Sequence, residues 1–204
     1  MKIAIINYGI GNPLSVQNML RKIGAESYIS ESPKEILDAE KIILPGVGSF
    51  DSGISQLEKR GFVSILNELI MVQKRPILGI CLGMQLMTKW SEEGESLGLG
   101  WLDAETVKFR FDQSQRLKIP HMGWNLAKAK KNTSLLDEQG SDKRFYFVHS
   151  YHVVCNNSSD ILTETNYGIK FTSSFKRDNI IGVQFHPEKS HKFGYQFLKR
   201  FVEI

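Results

Sequence analysis

The sequence predicts an α/β protein with a mostly parallel central sheet, helices on its faces and an antiparallel extension. Short apolar runs alternate with segments of helical periodicity through the first half, which is typical of a parallel sheet covered by helices. The second half consists mainly of short apolar runs separated by polar turns, which indicates antiparallel strands. No linker or internal repeat divides the 204 residues, so we expect one domain over residues 1–204.

The elements of the first half follow from hydrophobic periodicity. Val16, Met19, Leu20 and Ile23, for example, recur at helical spacing. Strands are predicted at residues 2–7, 26–30, 41–44 and 76–80, and helices at residues 15–23, 34–37, 51–60 and 62–73. The loops at the carboxyl ends of parallel strands meet at one edge of a sheet, and catalytic groups are expected there.

The second half is predicted to add short strands and a final helix. The strands are predicted at residues 103–111, 124–129, 144–148, 151–154, 162–166, 169–175 and 180–184, and the helix at residues 193–201. We expect these strands to extend the sheet of the first half.

Cys81 lies between a predicted strand and a segment, residues 82–90, with helical spacing. It is flanked by Gly79 and Gly83, each two positions away, which is the pattern of a nucleophile elbow. The turn would lift the sulfur out of the sheet and place it at a helix N-terminus, which favours the thiolate. A buried cysteine in a tight turn is the alternative.

His186 and Glu188 are the expected partners of this nucleophile. They follow the predicted strand that ends at Phe185, and Pro187 stiffens the turn between them. A cysteine nucleophile needs an imidazole to take its proton and a carboxylate to orient the imidazole. The sequence therefore predicts the catalytic set Cys81, His186 and Glu188.

The segment from Pro45 to Ser49 follows the strand expected beside the elbow strand. Gly46 and Gly48 would let backbone N–H groups approach an oxyanion, and the backbone N–H of Leu82 would be the second donor. A plain tight turn is the alternative interpretation.

Several further polar side chains are placed near this site by their position in the chain. Gln85, one turn into the elbow helix, is expected to face the substrate. His149 is either a second base or, as we favour, a wall of the pocket, whereas His152 and His191 are expected at the surface. The segment containing Trp124 and Asn125 is either an interface or part of the core, and both interpretations stay open.

The composition excludes several classes of function. Hydrophobic residues make up 41% and charged residues 24%, and no run of about 18 apolar residues suggests a membrane span. The net charge of +4 permits phosphorylated ligands or an acidic partner, but no aromatic-interleaved basic stripe indicates nucleic acid. Neither a secretory signal nor a disulfide framework is expected, which fits a cytoplasmic protein.

The loop of residues 7–12 superficially resembles a dinucleotide-binding loop. Gly9 and Gly11 are present, but Leu14 stands where the third glycine is required. We expect no nicotinamide cofactor, and no other cofactor or metal is predicted.

The motifs together resemble the class I (triad) glutamine amidotransferase family over nearly the whole chain. The motifs are N-Y-G-x-G-N, L-P-G-V-G-S-F, G-I-C-L-G-M-Q, I-P-H-M-G-W-N, F-Y-F-V-H-S-Y and Q-F-H-P-E-K-S. The elbow and the H-P-E element are shared by the whole family, which has a flavodoxin-like fold. The H-M-G-W-N and V-H-S-Y elements are similar to those of the glutaminase subunits of imidazole glycerol phosphate synthases.

The resemblance implies hydrolysis of L-glutamine to glutamate and ammonia. Cys81 would attack the side-chain amide, His186 would shuttle the proton and Glu188 would orient the imidazole. The resemblance further assigns Gly46, Val47 and Gly48 to the oxyanion strand and Gln85, His149, Ser150 and Tyr151 to glutamine binding.

The resemblance also implies a partner, a barrel-shaped cyclase subunit that receives the ammonia in a heterodimer. That subunit would form imidazole glycerol phosphate and an aminoimidazole carboxamide ribotide in histidine biosynthesis. Trp124, Asn125, Tyr151 and Lys189 fall in motifs that should face it.

The chain departs from the family pattern at Pro13, in the short segment 94–101 and in residues 190–194. The last of these is similar to paralogues that serve sugar amidination for surface polysaccharides, so this acceptor pathway is a competing interpretation. Two further hypotheses are a cysteine hydrolase on the same elbow and a non-catalytic interaction module.

Overall fold

The computed structural model describes residues 2–112, 114, 116–136 and 143–204. The strands are β1 (Ile3–Ile6), β2 (Ser27–Ser30), β3 (Lys41–Gly46), β4 (Ile77–Cys81), β5 (Ala104–Lys108), β6 (His121–Leu126), β7 (Lys128–Ala129), β8 (Arg144–His149), β9 (Tyr151–Cys155), β10 (Ile161–Tyr167), β11 (Ile169–Arg177) and β12 (Ile180–Val183). The α-helices are α1 (Pro13–Ile23), α2 (Phe50–Lys59), α3 (Phe62–Asn67), α4 (Leu82–Leu86) and α5 (His191–Glu203). Short 3-10 turns span Pro33–Ile36, Ser158–Asp160 and Pro187–Lys189, and α3 continues as a π turn over Glu68–Val72.

The main sheet is parallel on one side and antiparallel on the other. Its order is β2-β1-β3-β4-β12-β11-β10-β7, with β9 paired to β11 and β5. The pairs from β2 to β12 are parallel, and those from β12 to β7 are antiparallel. The predicted fold class, a mostly parallel sheet with helices and an antiparallel extension, is confirmed.

The two faces of the sheet are covered by different helices. Because side chains alternate along a strand, Ala4 and Ile6 of β1 pack with α2 and α3 on one face, whereas Ile3 and Ile5 pack with α1 and α5 on the other. The parallel strands are buried on both faces, as expected for a sheet with helices on each side. Among the described residues, the helices lack the length and apolar character needed to cross a membrane.

Strands β6 and β8 are not part of the main sheet, which corrects the expectation that the second half forms one extension. They form a separate antiparallel pair in which His121 lies opposite His149. The buried side of β8 packs onto the face of the main sheet through aromatic side chains, with Phe145 stacked on Phe185 at 3.9 Å between ring centres. Alternation of apolar and polar residues predicts that a segment is a strand. Whether that strand joins the edge of the main sheet or packs over its face depends on which distant side chains it contacts.

The elbow helix is shorter than predicted. It ends at Leu86, not at residue 90. The Thr88 hydroxyl donates to the carbonyl of Gln85, and Lys89 N–H donates to the carbonyl of Ala104. Trp90 then pairs with Leu97 in an antiparallel bridge. Long-range backbone pairing therefore replaces the helix that the local spacing favours.

Candidate active site

The turn at Cys81 depends on two glycines. Cys81 has a positive φ of 54°, a conformation that is strained for a residue with a side chain and recurs at functional sites. A Cβ on Gly83 would lie 1.8 Å from the carbonyl oxygen of Leu44, and one on Gly79 would lie 2.6 Å from that of Gly83. Strands β3 and β4 and the start of α4 can approach only because these positions carry no side chain.

The sulfur of Cys81 is almost enclosed, with the residue 7% exposed. The Nε2 amide of Gln184 donates to Sγ at 3.7 Å, and the thiol lies 3.9 Å from the carbonyl oxygen of Val148. Gln184 is a contact that the sequence analysis did not single out. Its place next to the end of β12 was the only available signal.

His186 and Glu188 form a buried pair. His186 Nδ1 is 2.8 Å from Glu188 Oε1, and their side chains are 2% and 4% exposed. The main chain is fixed as well, because His186 N–H donates to the carbonyl of Tyr146 and the Ser190 hydroxyl donates to the carbonyl of His186. The His186 ring and the Glu188 carboxylate are therefore held in place by the protein itself.

The two groups acting on His186 favour its charged form. Burial lowers the pKa of His186, but the hydrogen-bonding and charge interactions of Cys81 and of Glu188 outweigh burial and raise the pKa to about 10. Its Nε2 makes no hydrogen bond of ordinary geometry with the described residues, and Cys81 is the group besides Glu188 that acts on the ring. This arrangement can hold a positively charged imidazole beside the sulfur of Cys81.

A cavity of about 400 Å³ opens beside Cys81. Its lining residues come from the loop after β3, the end of β4 and start of α4, residues 93 and 120, and the turn from β8 into β9. They are Val47, Gly48, Cys81, Leu82, Gln85, Glu93, Pro120, Val148, His149, Ser150 and Tyr151. The structure therefore brings the predicted nucleophile and the predicted substrate-binding residues to one pocket that can hold a small molecule.

The predicted oxyanion residues lie at the edge of this cavity. Gly46 ends β3 directly opposite Cys81 in the parallel register, and Leu82 is the first residue of α4. Val47 is 44% exposed, and Gly48 has a φ of +106° with open space where a Cβ would stand. The 46–48 segment thus lies next to Cys81, with close packing at Gly46 and open space at Gly48.

Gln85 lines the pocket, but its amide nitrogen is already bonded. Nε2 donates to the carbonyl of Tyr151 at 3.1 Å and to Gln184 Oε1 at 3.0 Å. Because Gln184 in turn donates to Cys81, Gln85 supports the wall on which the sulfur rests. Its amide nitrogen therefore has a structural task besides any contact with a ligand.

Glu93 is a pocket residue that the sequence analysis missed. Its carboxylate accepts from the backbone N–H of Phe50 at 2.8 Å, at the start of α2. Burial, opposed by that hydrogen bond, raises the pKa of Glu93 above its usual value. No local motif surrounds it, and only the folding of the 90–99 segment toward α2 places it in the cavity.

His149 and His121 form a neutral chain beneath the pocket. His149 Nδ1 donates to the carbonyl of Tyr151 at 2.7 Å, and its Nε2 is 2.9 Å from His121 Nδ1. Burial lowers the pKa of His149 to about 3 and that of His121 to about 4. His149 is therefore a wall of the pocket rather than a second base at neutral pH.

The prediction that His152 lies at the surface is wrong, because His152 is only 6% exposed and its ring packs against that of Phe109.

Four residues are expected to face a partner, and three of them, Trp124, Asn125 and Lys189, lie outside the pocket. Trp124 is 45% exposed and its ring is parallel to that of His191, with 5.4 Å between ring centres. Asn125 donates to His121 and to the carbonyl of Asn166. Lys189 lies over the ring of Tyr146, next to Trp124, whereas Tyr151 lines the pocket. The alternative of a buried core tryptophan at 124 is excluded.

Comparison with known sequences identifies relatives along the whole chain. Residues 4–204 match the family described as glutamine amidotransferase class-I. The imidazole glycerol phosphate synthase subunit HisH 2 of Methanococcus maripaludis is 52% identical over 201 residues, which cover 98% of each chain. The subunit of the same name from Pseudomonas aeruginosa is 49% identical over 202 residues, 99% of each chain.

Solved structures share the fold at low sequence identity. A PurLQS structure from Thermotoga maritima matches with a TM-score of 0.77 and 16% identity, covering 99% of this chain and 97% of that one. A crystal structure of a glutamine amidotransferase matches with a TM-score of 0.76 and 14% identity over 98% of this chain and 97% of that one. Taken with the sequence relatives, these findings show that the chain is an enzyme of the class-I glutamine amidotransferase family.

Proposed function

We propose that this chain is the glutaminase subunit of an imidazole glycerol phosphate synthase and acts as one domain in the cytoplasm. The observation that supports this most directly is the buried His186–Glu188 hydrogen bond beside Cys81, which lines a cavity of about 400 Å³. The names of relatives that match the chain from end to end support the assignment to this synthase.

The proposed reaction begins with attack by the Cys81 thiolate on the side-chain amide carbon of L-glutamine. A C–S bond forms, and the carbonyl oxygen becomes an oxyanion that the backbone N–H groups of Val47 and Leu82 stabilise. His186 gives its proton to the amide nitrogen, the C–N bond breaks and ammonia leaves. His186 then takes a proton from water, which attacks the thioester and releases glutamate. Glu188 holds the imidazole in the required tautomer throughout.

Glutamine binding is assigned to the polar residues that line the cavity around Cys81. Gln85, His149, Ser150 and Tyr151 line it together with Glu93. The carboxylate of Glu93 suits the α-ammonium group of glutamine, because a half-buried acid gains from a positive partner. A neutral His149 suits the uncharged amide that must approach Cys81.

Ammonia is proposed to pass to a cyclase subunit bound at the surface that includes Trp124, Asn125 and Lys189. This face carries exposed apolar side chains, with Met122 62% and Trp124 45% exposed. Exposed apolar residues beside a basic side chain are typical of a protein interface. Tyr151 would connect this face to the pocket.

The test is glutamate release by the complex of this chain with the cyclase subunit, comparing wild type with Cys81→Ala. Loss of a covalent nucleophile is expected to lower kcat by several powers of ten. Cys155→Ala is the matched control, because burial raises the pKa of that thiol to about 12 and it lies outside the pocket. Residual activity of Cys81→Ala within about tenfold of wild type would contradict the assignment.

Ammonium salt at alkaline pH separates glutaminase chemistry from the acceptor reaction. The Cys81→Ala complex should still form imidazole glycerol phosphate from the phosphoribulosyl precursor when ammonium is supplied. A complex that hydrolyses glutamine but forms no product from this precursor would leave the glutaminase in place and overturn the histidine pathway.

A further inference from the structure

Tyr8 carries a buried hydroxyl that lacks a hydrogen bond. The side chain lies in the loop after β1, is 0% exposed and packs in the core with Leu44, Phe50 and Leu82. Its Oη has no hydrogen-bond partner among the described residues. Buried hydroxyl groups in folded proteins are nearly always bonded, so an orphan calls for a physical explanation.

The hydroxyl lies against the strand that carries the oxyanion segment. A Cβ on Gly46 would stand 2.7 Å from Tyr8 Oη, 2.8 Å from Leu82 Cβ and 2.9 Å from the backbone nitrogen of Gly83. Glycine at position 46 therefore leaves the main chain open to the hydroxyl. Val47 and Leu82 line the cavity but Tyr8 and Gly46 do not, so Oη approaches the segment from the buried core that Tyr8 shares with Leu44.

The hydroxyl keeps its proton across the working pH range. Burial, followed by the charge of Cys81, raises the pKa of Tyr8 far above its ordinary value. A neutral phenol can donate one hydrogen bond. The orphan is thus a permanent donor placed beside the Gly46 main chain.

The Gly46–Val47 peptide is trans, so its C=O and N–H point in opposite directions. Turning the Val47 N–H toward the pocket carries the Gly46 carbonyl toward the interior, where Oη lies. We propose that Tyr8 is a positioning residue whose hydroxyl donates to the Gly46 carbonyl oxygen in the turned state and thereby stabilises the oxyanion donor in its productive orientation. The inference rests on the proposed function, and it adds the group that holds the donor in place.

A bond that exists in only one of two states shifts the population toward that state. In this structure the hydroxyl is unbonded, so its removal costs this state no hydrogen bond and weakens only the turned one. The net value of one hydrogen bond corresponds to a change in population of about three- to tenfold. The loss should appear in kcat and not in KM, because Tyr8 does not reach the cavity.

The test uses Tyr8→Phe, which removes the hydroxyl alone, in the full chain bound to the cyclase subunit. L-Glutamine hydrolysis is measured at saturating acceptor, with the midpoint of thermal unfolding (Tm) of the free chain. Tyr28→Phe is the matched control, because the Tyr28 hydroxyl donates to the carbonyl of Glu35 at 2.8 Å and Tyr28 does not line the cavity. We expect Tyr8→Phe to lower kcat about three- to tenfold with KM unchanged and Tm unchanged or higher, and Tyr28→Phe to leave kcat unchanged.

Three results would overturn the role of Tyr8. They are a kcat of Tyr8→Phe equal to that of wild type, an effect confined to KM, and a fall in kcat accompanied by a fall in Tm, which would indicate a structural role. Absence of glutamine hydrolysis by the wild-type complex would instead overturn the proposed function, so the two failures are distinguishable.

Discussion

His186 and His149 are both buried beside Cys81, yet their pKa values move in opposite directions. His186 is 2% exposed and its pKa is raised to about 10, whereas His149 is 6% exposed and its pKa is lowered to about 3. Burial lowers both values. The difference lies in the partners, since His186 meets the Glu188 carboxylate and the Cys81 sulfur, and His149 meets a carbonyl oxygen and the neutral ring of His121.

The comparison separates two tasks within one site. The region at the end of β12 favours a positive charge next to the proposed nucleophile, and the β6–β8 region keeps a polar wall uncharged.

Substituting asparagine for each histidine should give very unequal losses. His186→Asn removes the proposed proton carrier and is expected to lower kcat by about 10³-fold or more. His149→Asn changes a wall of the pocket and is expected to cost about tenfold, mainly through KM for glutamine. Steady-state glutamate release by the complex measures both. Equal losses in kcat would remove the distinction between the two regions.

Gly48→Val tests whether the segment beside the sulfur acts as a switch. Gly48 has a φ of +106°, which a β-branched residue adopts only with strain, so valine should hold the segment in one orientation. In wild type we expect acceptor ligand on the partner to raise glutaminase turnover about 10²–10³-fold, the value of one oxyanion donor. The ratio should collapse in the variant.

Gly24→Val is the matched control for backbone strain. Gly24 has a φ of +84° at the end of α1, also in open space. The Gly24→Val variant should be less stable than wild type, but its glutaminase turnover should still respond to acceptor ligand. A wild-type complex that is equally active with and without the ligand would refute the switch.

Glu188→Gln removes the charge that distinguishes His186 from His149. The amide retains a hydrogen-bonding group, but the pKa of His186 should fall because the carboxylate is one of the interactions that raise it. We expect kcat to fall about 10²-fold, since the tautomer is no longer enforced. NMR titration of His186 gives the pKa, and an unchanged value would show that Cys81 alone sets it.

Acidification should reveal the neutral histidines through stability. Burial lowers the pKa values of His121, His149 and His152, so between about pH 6.5 and 5 the unfolded chain binds more protons than the folded one. The free energy of unfolding should therefore decrease as the pH is lowered, by at most about 1.4 kcal/mol per pH unit for each histidine. His186, whose pKa is raised, opposes this trend weakly near pH 6.5, because the folded residue stays protonated while the unfolded one gains its proton as the pH falls through about 6.5.

Urea unfolding at about pH 6.5 and about pH 5 measures this slope. In His149→Asn the slope should be smaller by up to about 1.4 kcal/mol per pH unit. An unchanged slope would mean that His149 is not a buried neutral histidine.

Local patterns predicted most of the parallel half. The apolar strands β1, β3 and β4 appear where the hydrophobic runs predict them, because both their faces are buried and their signal is continuous. The hydrophobic pattern gave a wrong helix end and a wrong strand placement where backbone pairing joins residues distant in the sequence. The helix after Cys81 ends early, and β6 and β8 lie over the sheet instead of extending it.

By itself the sequence determined the turn at Cys81 and the His186–Glu188 pair. Gly79 and Gly83 leave room for the turn, and a step of two residues brings the imidazole to the carboxylate. Both depend on neighbours in the chain, whose distances the backbone limits. The tertiary structure decided the contacts of Gln184 with Gln85, the place of Glu93 in the pocket and the orphan hydroxyl of Tyr8. Hydrogen bonds and desolvation act over a few ångströms, so residues far apart in the chain acquire these roles only when the sheet brings them together.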